Sequence, residues 1–485
     1  MNRAARSGRG LICTSFLLML LSASLLFGDV GGEIRKISSS SHLKESRFSL
    51  AVYDVKRAVY IHAVNRDTAL VPASNQKLLV TAAAMLELGP DFKFHTQLYI
   101  DGPIHEGVLN GSLYLRGGGD PNLSGRFNDD NIYTPVDAWV KAVQKAGIRK
   151  INGDILVDDS IFDRQFFHPS WPAKQAHHWY AAEIGALALN DGCIDLTVKP
   201  GKEGEAAAWS FQPFTSWIRF QNTCRTVAGK DSRQIRIGRQ GNRVLLAGRI
   251  GVRSSGYFTH IAIHDPGLFT GAVFGRRLAQ QRIGARAIRR TVDSPKYKEL
   301  TRILDYTTQD LQTTLTVTNA RSQNLYAEML LKYLGHHRFG QGSFKSGIEA
   351  VTDILEDRGF DFEGITMDDG GGLSHQNRIS TARIVKLLEL MYVSKYRNNF
   401  VATMAKPADA FGTLRKRLKG VKLKGQVYGK TGYISGAKAL SGYVVRDDGH
   451  VFIFSFLANK YKSSAGINDL QNKLMTALAN SSYNP

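Results

Sequence analysis

The fold class of this 485-residue chain follows from the stretch Ser74-Asn75-Gln76-Lys77, because two further short motifs come after it in order. They are Ser322-Gln323-Asn324 and Lys430-Thr431-Gly432. Alone, a Ser-x-x-Lys is usually an ordinary surface helix, a Ser-Gln-Asn a turn, and a Lys-Thr-Gly the end of a strand. The ordered set of three, each in a suitable structural setting, is instead typical of an enzyme that acylates a serine.

Hydrophobic periodicity predicts the settings of the motifs. Residues 48–54 and 58–62 alternate apolar and polar positions, which predicts a β-hairpin. A helix is predicted to begin near Ser74 and to end at Gly89-Pro90. A second apolar helix, at 325–333, is predicted to follow the second motif.

The C-terminal part of the chain is predicted to complete one sheet with that hairpin. Three antiparallel strands are expected at 426–432, 440–445 and 451–457, and a final helix at 467–479. Asp447-Asp448-Gly449 is the expected turn between the last two strands. Pairing of the hairpin with these strands would make the catalytic domain discontinuous.

We assign residues 33–96 and 299–485 to this discontinuous domain and expect an insertion between its two parts. Residues 97–298 contain short strands, glycine turns and few convincing helices, which predicts an inserted β-rich region. The insertion is expected to form two subdomains, at about 97–195 with 262–298 and at about 196–261.

The first 28 residues are predicted to be a secretory signal peptide. Arg3, Arg6 and Arg9 precede an apolar run at 11–27, which is the charge and hydrophobicity pattern of such a signal. The protein is therefore expected to be exported to the periplasm or the cell envelope. An uncleaved signal anchor is the alternative.

The net charge of +21 suits an exported protein that associates electrostatically with an anionic envelope surface. Nucleic acid is not expected as a partner, because no recognition motif is present and export argues against it. The local run Arg415-Lys416-Arg417 is predicted to be a solvated helix face.

The cysteines and histidines indicate no metal chemistry. Cys193 and Cys224 could form one disulfide or remain two buried free thiols, and their spacing leaves both possibilities open. His177-His178 and His336-His337 have no ligand-spaced partners. We predict no structural or catalytic metal and no cofactor.

The residue types of the three motifs suit nucleophilic catalysis. Ser74 and Lys77 are three residues apart at a helix start, so their side chains share one helix face. Lysine can take the serine proton only if burial or a second cation, here Lys430, lowers its pKa. The backbone N–H groups of Ser74 and Tyr433 are the expected oxyanion donors. Gly432 is expected to remove side-chain bulk where the substrate lies against the strand edge.

At these motifs the chain resembles the type-4 penicillin-binding proteins, exported D-alanyl-D-alanine carboxypeptidase/endopeptidases also called low-molecular-mass class C. The resemblance runs from about residue 48 to residue 460. The matching segments are 72–79, 113–121, 158–163, 322–330, 369–374, 411–414 and 430–444. The resemblance implies an α/β (α+β) penicillin-recognising serine transpeptidase and β-lactamase-like domain that is discontinuous and carries inserted β-rich domains.

The resemblance also implies catalytic roles for matching residues. Ser74 is acylated by the carbonyl of the penultimate D-alanine of a peptidoglycan stem peptide, with Lys77 as the base. Ser322 relays the proton to the departing D-alanine nitrogen, and water later releases the acyl group. β-Lactam antibiotics are implied as covalent inhibitors that acylate the same serine.

Substrate-binding roles follow from the same resemblance. Asn324 hydrogen-bonds the substrate amide, and Lys430 supports the electrostatics of the reaction. Thr431, with Ser435, holds the terminal carboxylate. The substrate-binding residues implied along this strand are Thr431, Gly432, Tyr433 and Ser435.

Two positions depart from the family pattern. Gln323 stands where aspartate is commoner, at a position that usually faces away from the chemistry, so little effect is expected. His375 stands where members generally place an arginine that helps bind the far end of the substrate's side chain, often a carboxylate of diaminopimelate. We hypothesise that the enzyme relies less on that carboxylate, or that Arg378 supplies the charge. Asp158 and Asp159 are candidates for contacting the substrate's amino group, and a turn-forming aspartate pair is the alternative.

Other functions explain part of the sequence. A β-lactamase has the same motifs, but its gap between the two serines is much shorter, and no evident deacylating glutamate lies near Ser322. An inactive wall-binding homologue, or a basic polymer-binding module without chemistry, would not account for the intact motifs. The balance between carboxypeptidase and endopeptidase activity stays open, since both use the same acyl-enzyme.

Overall fold

The computed structural model describes residues 28–229 and 234–481. Its strands, in chain order, are β1 (Arg47–Asp54), β2 (Val59–Val64), β3 (Lys93–Ile100), β4 (Ile104–His105), β5 (Val108–Leu109), β6 (Leu113–Arg116), β7 (Lys150–Ile151), β8 (Ile155–Asp158), β9 (Cys193–Lys199), β10 (Ala208–Gln212), β11 (Arg219–Asn222), β12 (Arg225–Val227), β13 (Gln234–Gln240), β14 (Arg243–Gly251), β15 (Tyr257–Ala262), β16 (Ile288–Arg290), β17 (Thr301–Asp310), β18 (Gly425–Ile434), β19 (Ala437–Arg446) and β20 (Val451–Asn459). Its helices are α1 (Gly28–Ser38), α2 (Lys77–Leu88), α3 (Thr134–Lys145), α4 (Pro266–Gln280), α5 (Leu311–Ala320), α6 (Asn324–Phe339), α7 (Phe344–Glu356), α8 (Thr381–Val393), α9 (Arg397–Ala402) and α10 (Ser464–Asn480). The predicted signal peptide at 1–28 lies outside the described residues, except for Gly28, with which α1 begins.

The chain forms two compact units, of which the first contains both ends of the described chain. It consists of the described residues of Met1–Asn75 and Asn377–Pro485, together with Glu363–Thr366. Its sheet has five antiparallel strands in the order β18-β19-β20-β1-β2. The predicted pairing of the N-terminal hairpin with the C-terminal strands is confirmed, since Leu50 of β1 lies opposite Phe456 of β20.

Helices cover both faces of this sheet. The Tyr443 hydroxyl on β19 donates a hydrogen bond to the Leu388 carbonyl of α8 at 2.7 Å. The Lys438 ammonium, on the same strand, donates to the Asn468 side chain of α10 at 2.6 Å. Residues five apart in a strand point to opposite faces, so α8 and α10 lie on opposite sides of β19. This two-sided cover explains why β20 is buried along its whole length.

The second unit consists of Gln76–Phe362 and Met367–Gln376. Helix α2 packs against α5, α6 and α7 in this unit, and the predicted helices after the first and second motifs are α2 and α6. The sheets of the unit have the strand orders β16-β8-β6-β3-β17, β10-β9-β15, β11-β14-β12 with β13 on β14, and β4-β5-β7.

Two helices, α3 and α4, lie in the segment where few convincing helices were expected. They pack together through Trp139 and Phe274, whose rings meet edge to face with centroids 5.7 Å apart. Helix α4 was hard to predict because it contains repeated glycines, which have low helix propensity. The glycines are needed for close packing against two strands. A β-carbon on Gly271 would collide with Val157 of β8, and one on Gly275 would collide with Ile288 of β16.

Two further expectations are settled by the local structure. The sequence left open whether Cys193 and Cys224 form a disulfide or remain free. In the structure both are buried free thiols. The prediction of a solvated helix face at Arg415-Lys416-Arg417 is wrong, because this segment forms turns between α9 and β18. Arg417 is half buried there rather than solvated.

We predict that Gly271→Val destabilises the protein by about 2 kcal/mol, because the added side chain overpacks the contact between α4 and β8. The measurement is the urea or thermal unfolding midpoint. Ala279→Val is the matched control, since it adds a valine to an exposed position of the same helix. Equal midpoints for the two variants would contradict the close-packing role of Gly271.

Candidate active site

Ser74 lies in a 3₁₀ turn, Ala73–Gln76, that leads into α2 at Lys77. The helix was predicted to begin near Ser74, and this 3₁₀ turn explains why α2 begins at Lys77 instead. Ala73 has a φ of 47°, a left-handed conformation that is unfavourable for a residue with a β-carbon. Strain of this kind persists only where the surrounding structure imposes it, and it is often found at functional sites.

Strand β18 approaches the backbone of this turn at Gly432. A β-carbon on Gly432 would lie 2.8 Å from the Pro72 carbonyl oxygen and 3.0 Å from the Ser74 nitrogen. Contacts this short are not tolerated, so only glycine allows the third motif to lie this close to the first. The glycine is therefore required by the protein's own packing, in addition to any bulk that it removes from the predicted substrate path.

The residue after the serine fastens the turn to the sheet of the first unit. The Asn75 side-chain amide donates to the Ser441 hydroxyl of β19 at 2.6 Å, and Ser441 contacts Ser455 of β20 at 2.8 Å. Ser441 is also directly opposite Lys430 in the pairing of β18 with β19. The first and third motifs are therefore held together within the first unit by backbone packing and a buried hydrogen-bond chain.

The third motif and the residues that follow it run from the core to the surface. The Lys430 ammonium is fully buried and donates to the Thr431 carbonyl oxygen at 2.8 Å. The Thr431 hydroxyl donates to that of Thr413 at 2.7 Å. Tyr433 is 65% exposed and Ser435 is also exposed. The side chains predicted to bind substrate thus lie on the accessible side of β18 and its following turn.

In the second unit, Lys77 is the central group. Its side chain is fully buried, and its ammonium donates to the Asn324 Oδ1 atom at 2.6 Å and to the Gly371 carbonyl oxygen. Burial lowers the pKa of Lys77 below its usual range, and the carboxylates of Glu328 and Asp369 oppose part of that change. The first and second motifs therefore meet at this lysine, whose lowered pKa is what a base requires.

The second motif adopts a strained turn before α6. Ser322 has a φ of 62°, again in the left-handed region. Asn324 opens α6, and its side-chain amide bridges Lys77 and the backbone, since its Nδ2 atom donates to the Tyr180 carbonyl at 2.7 Å. These two hydrogen bonds orient the asparagine side chain.

The unusual Gln323 is bound to a carboxylate of its own. Its Nε2 atom donates to Asp191 Oδ2 at 2.7 Å, and Arg126 contacts the same carboxylate oxygen. An aspartate at this position would place a second negative charge beside Asp191. The glutamine is therefore matched to its local partner.

Sequence reasoning missed Glu328, a fully buried carboxylate that belongs to the surroundings of Lys77. Its two oxygens accept hydrogen bonds from the backbone N–H groups of Gly370, at 3.0 Å, and Gly371, at 2.6 Å. The same Gly371 presents its carbonyl to Lys77. Position could have revealed it, because Glu328 lies four residues after Asn324 and so shares its helix face.

Asp369 holds the rest of this glycine-rich loop. Its carboxylate accepts hydrogen bonds from the backbone of Gly372 at 2.8 Å and of Ser374 at 2.7 Å. It also accepts one from the Trp171 indole at 2.8 Å. The buried carboxylates of Glu328 and Asp369 are thus satisfied mainly by N–H donors of one loop.

Asp158 and Asp159 have internal partners. Asp158 accepts hydrogen bonds from the hydroxyls of Ser294, at 2.9 Å, and Tyr297. Asp159 makes a two-point ion pair with Arg290, with both N–O distances 2.8 Å. Both carboxylates are buried. Their contact with the substrate's amino group stays a prediction.

His375 and Arg378 belong to different units. His375 is exposed at the end of the second unit's segment Met367–Gln376. Arg378, in the first unit, pairs through its backbone with Thr366 and donates from Nη1 to the Asn377 carbonyl at 2.8 Å. The hypothesis that Arg378 supplies the charge missing at His375 stays a prediction.

Across residues 28–229 and 234–481, no group of three His, Cys, Asp or Glu side chains is arranged to hold a metal ion. In the same described part, no helix has the length and apolar character needed to cross a membrane.

The chain is similar to known proteins along most of its length. A sequence model of the D-Ala-D-Ala carboxypeptidase 3 (S13) family matches residues 31–481. The D-alanyl-D-alanine carboxypeptidase of Actinomadura sp. (strain R39) is 28% identical over 484 residues, covering 95% of this chain and 88% of that protein. D-alanyl-D-alanine carboxypeptidase DacB of Haemophilus influenzae is 25% identical over 424 residues, covering 85% of this chain and 84% of that protein.

The crystal structure of penicillin binding protein 4 (dacB) from Haemophilus influenzae has a similar fold. The TM-score is 0.80 at 21% sequence identity, and the match covers 93% of this chain and 99% of that one. This likeness confirms the predicted α+β penicillin-recognising fold.

We predict that Glu328→Gln lowers the pKa of Lys77 further, by up to about one pH unit, because ionised Glu328 stabilises the protonated amine. Burial and the charge of Asp369 raise the pKa of Glu328 itself to about 8, so it is only partly ionised at neutral pH. The measurement is an NMR titration of lysine isotope-labelled at Cε, with the Lys77 signal assigned from its loss in Lys77→Met. Asp163→Asn is the matched control, since Asp163 pairs with Lys332 one turn further along α6. An unchanged Lys77 titration in Glu328→Gln would contradict this electrostatic role.

Proposed function

Because the chain belongs to the D-Ala-D-Ala carboxypeptidase 3 (S13) family, we propose that it is an exported serine carboxypeptidase that cleaves peptidoglycan stem peptides through an acyl-enzyme on Ser74. We include endopeptidase action on cross-links, which uses the same acyl-enzyme. The observation that carries the proposal is the buried Lys77 ammonium, three residues after Ser74, whose pKa is lowered by burial. Burying an amine is costly, and strongly perturbed amines are concentrated at functional sites.

Acylation begins at the Ser74 hydroxyl. Neutral Lys77 accepts the hydroxyl proton while the serine oxygen bonds to the carbonyl carbon of the penultimate D-alanine. The backbone N–H groups of Ser74 and Tyr433 stabilise the negative charge on the carbonyl oxygen. The close approach of Gly432 to the Ser74 nitrogen supports this assignment, because it brings the two donor segments together.

Expulsion of the terminal D-alanine completes acylation. Ser322 relays the proton held by Lys77 to the departing nitrogen as the C–N bond breaks. Lys430 stabilises negative charge during the step. Asn324 hydrogen-bonds the substrate amide, while Thr431 and Ser435 hold the terminal carboxylate. Water then attacks the ester and regenerates Ser74.

Recognition of the rest of the peptide is assigned to three further residues. We propose that His375 contacts the far end of the substrate's side chain and that Asp158 or Asp159 contacts its amino group. The exposure of His375 supports its assignment. The two aspartates would have to bind substrate while keeping the partners Tyr297 and Arg290.

The same proposal covers location, inhibitors and domain organisation. The protein acts in the periplasm or cell envelope, where its +21 charge favours association with anionic surfaces, and β-lactams inhibit it covalently at Ser74. Residues 33–96 and 299–485 form its catalytic domain, with 97–298 inserted. The sheet built from β1, β2 and β18–β20 supports this discontinuity.

Brief incubation with benzylpenicillin should add the mass of one penicillin to the wild-type protein and nothing to Ser74→Ala. The adduct should form more slowly as the pH falls, because protonated Lys77 cannot accept the serine proton. Intact-mass analysis at a series of pH values is the measurement. Folded wild-type protein without an adduct would exclude the acyl-enzyme, and an adduct lost within seconds would favour a β-lactamase.

If Arg378 replaces the charge missing at His375, amidation of the diaminopimelyl carboxylate should reduce cleavage strongly in wild type and hardly at all in Arg378→Ala. The expected loss is about tenfold, the value of one charge-assisted hydrogen bond. The measurement compares kcat/KM for free and amidated peptides. Equal cleavage of both peptides by the wild type would instead mean that the enzyme does not rely on that carboxylate.

A further inference from the structure

The segment before β18 is strongly basic and joins the substrate-binding strand. Between residues 411 and 424 no acidic residue occurs. The basic residues of the segment are Arg415, Lys416, Arg417, Lys419, Lys422 and Lys424. The Thr413 hydroxyl at its start accepts the hydrogen bond of Thr431 at 2.7 Å. The basic segment is therefore continuous with the strand that is proposed to hold the terminal carboxylate.

Arg417 turns inward from this segment and binds α10 through neutral oxygens. Its Nε atom donates to Asn472 Oδ1 at 2.6 Å, and its Nη2 atom donates to the Asn468 carbonyl at 2.8 Å. Burial lowers the pKa of Arg417, and no acidic group among the described residues offsets that effect. The guanidinium has more N–H donors than these contacts use.

Lys438 of β19 joins Arg417 at the same helix. Its side chain is nearly buried, with the residue 8% exposed, and its ammonium donates to Asn468 Oδ1 at 2.6 Å. Arg417 Nη1 lies 3.4 Å from that same oxygen. Two cations thus share one neutral acceptor, and within residues 28–229 and 234–481 neither forms an ion pair with a carboxylate. Burial and the Arg417 charge lower the pKa of Lys438 to about 8.

Such a pair is unfavourable without an anion. Like charges repel, and desolvation removes the water that would otherwise stabilise them. Because an arginine stays charged and Lys438 is still largely protonated at neutral pH, the pair carries nearly two positive charges. A bound oxyanion would offset the repulsion between the two cations and would accept hydrogen bonds from the unused donors.

The position of the pair indicates where that anion comes from. Lys438 lies directly opposite Tyr433 in the pairing of β18 with β19, so the two side chains share a face of the sheet. The ammonium is 5.4 Å from the centre of the Tyr433 ring. Thr431, two residues earlier, points to the same face of β18. The cations therefore lie beside the strand residues that would hold the departing part of a substrate.

We propose that Arg417 and Lys438 bind a carboxylate of the second peptide in a cross-linked peptidoglycan substrate. The inference rests on the proposed function. In carboxypeptidase action the leaving group is a single D-alanine, whose only carboxylate is already assigned to Thr431 and Ser435. In endopeptidase action the leaving amine belongs to a second peptide, which brings carboxylates of its own. The cation pair would give the enzyme affinity for the cross-linked substrate class.

The test compares two substrates in the purified full-length protein. Lys438→Met should raise KM for a cross-linked muropeptide dimer about tenfold, the effect of losing a charge-assisted hydrogen bond, and leave KM for a monomeric peptide ending in D-alanyl-D-alanine unchanged. Lys438→Arg keeps the charge and should restore most of the affinity. Lys419→Met, an exposed cation of the same segment, is the matched control and should change neither KM.

Specific outcomes would overturn the proposal. An equal rise of KM for dimer and monomer would show that the pair only supports the strand, and an equal effect of Lys419→Met would show a general surface-charge effect. Adduct formation with benzylpenicillin reports whether each variant is folded and whether the proposed Ser74 chemistry itself holds. The proposal would also be contradicted if the pair bound a phosphate-bearing polymer in place of the peptide carboxylates.

A binding measurement is independent of catalysis. In an NMR titration of lysine labelled at Cε, sodium acetate should raise the pKa of Lys438 relative to sodium chloride at equal ionic strength, because a bound carboxylate stabilises the ammonium. The signal is assigned from its loss in Lys438→Met. A pKa of Lys438 that is the same in acetate and chloride would refute the carboxylate site whether or not the enzyme is active.

Discussion

The buried amine of Lys77 is the constraint around which the second unit is organised. Removing an ammonium group from water favours its neutral form, so the protein must keep the group positioned without fixing it permanently as a cation. Neutral oxygens of Asn324 and Gly371 orient the amine, and the charges of Glu328 and Asp369 moderate the effect of burial. A base must be able to gain and lose a proton, and this balance permits both.

The charges around the amine depend in turn on backbone donors. Glu328 and Asp369 can be buried because N–H groups of the loop from Gly370 to Ser374 hydrogen-bond their oxygens. The loop therefore acts on the lysine twice, by presenting the Gly371 carbonyl and by stabilising the carboxylates. In the first unit, the corresponding precision comes from packing, where Gly432 meets the Ser74 backbone and Asn75 binds Ser441.

Local pattern predicted the elements that carry the motifs, because each one has strong periodicity. The hairpin, the three C-terminal strands, and helices α2 and α6 are where the sequence indicated. Helix α4 was missed because its glycines serve contacts with distant strands, which a local pattern does not contain. The turn at Arg417 was mistaken for a helix face because its partners on α10 lie far along the chain.

The site was predictable to the same extent. Ser-x-x-Lys spacing indicated the lysine, but its pKa depends on Glu328 and Asp369, whose approach follows from tertiary packing. The partners of Asp158 and Asp159, Ser294 and Arg290, lie far along the chain, and no sequence pattern revealed them. Residue type and spacing thus identified candidates, whereas burial and partners came only from the fold.

The close fit at Gly432 limits how such a protein could become resistant to an antibiotic that occupies its active site. Adding a side chain to the strand is a direct way to obstruct a bound inhibitor. Here the added atoms would first meet the Pro72 carbonyl and the Ser74 nitrogen, and would displace the backbone of the proposed nucleophile. Drug selection at this position would therefore act against the enzyme's own turnover, so escape is expected through substitutions elsewhere on the exposed side of β18.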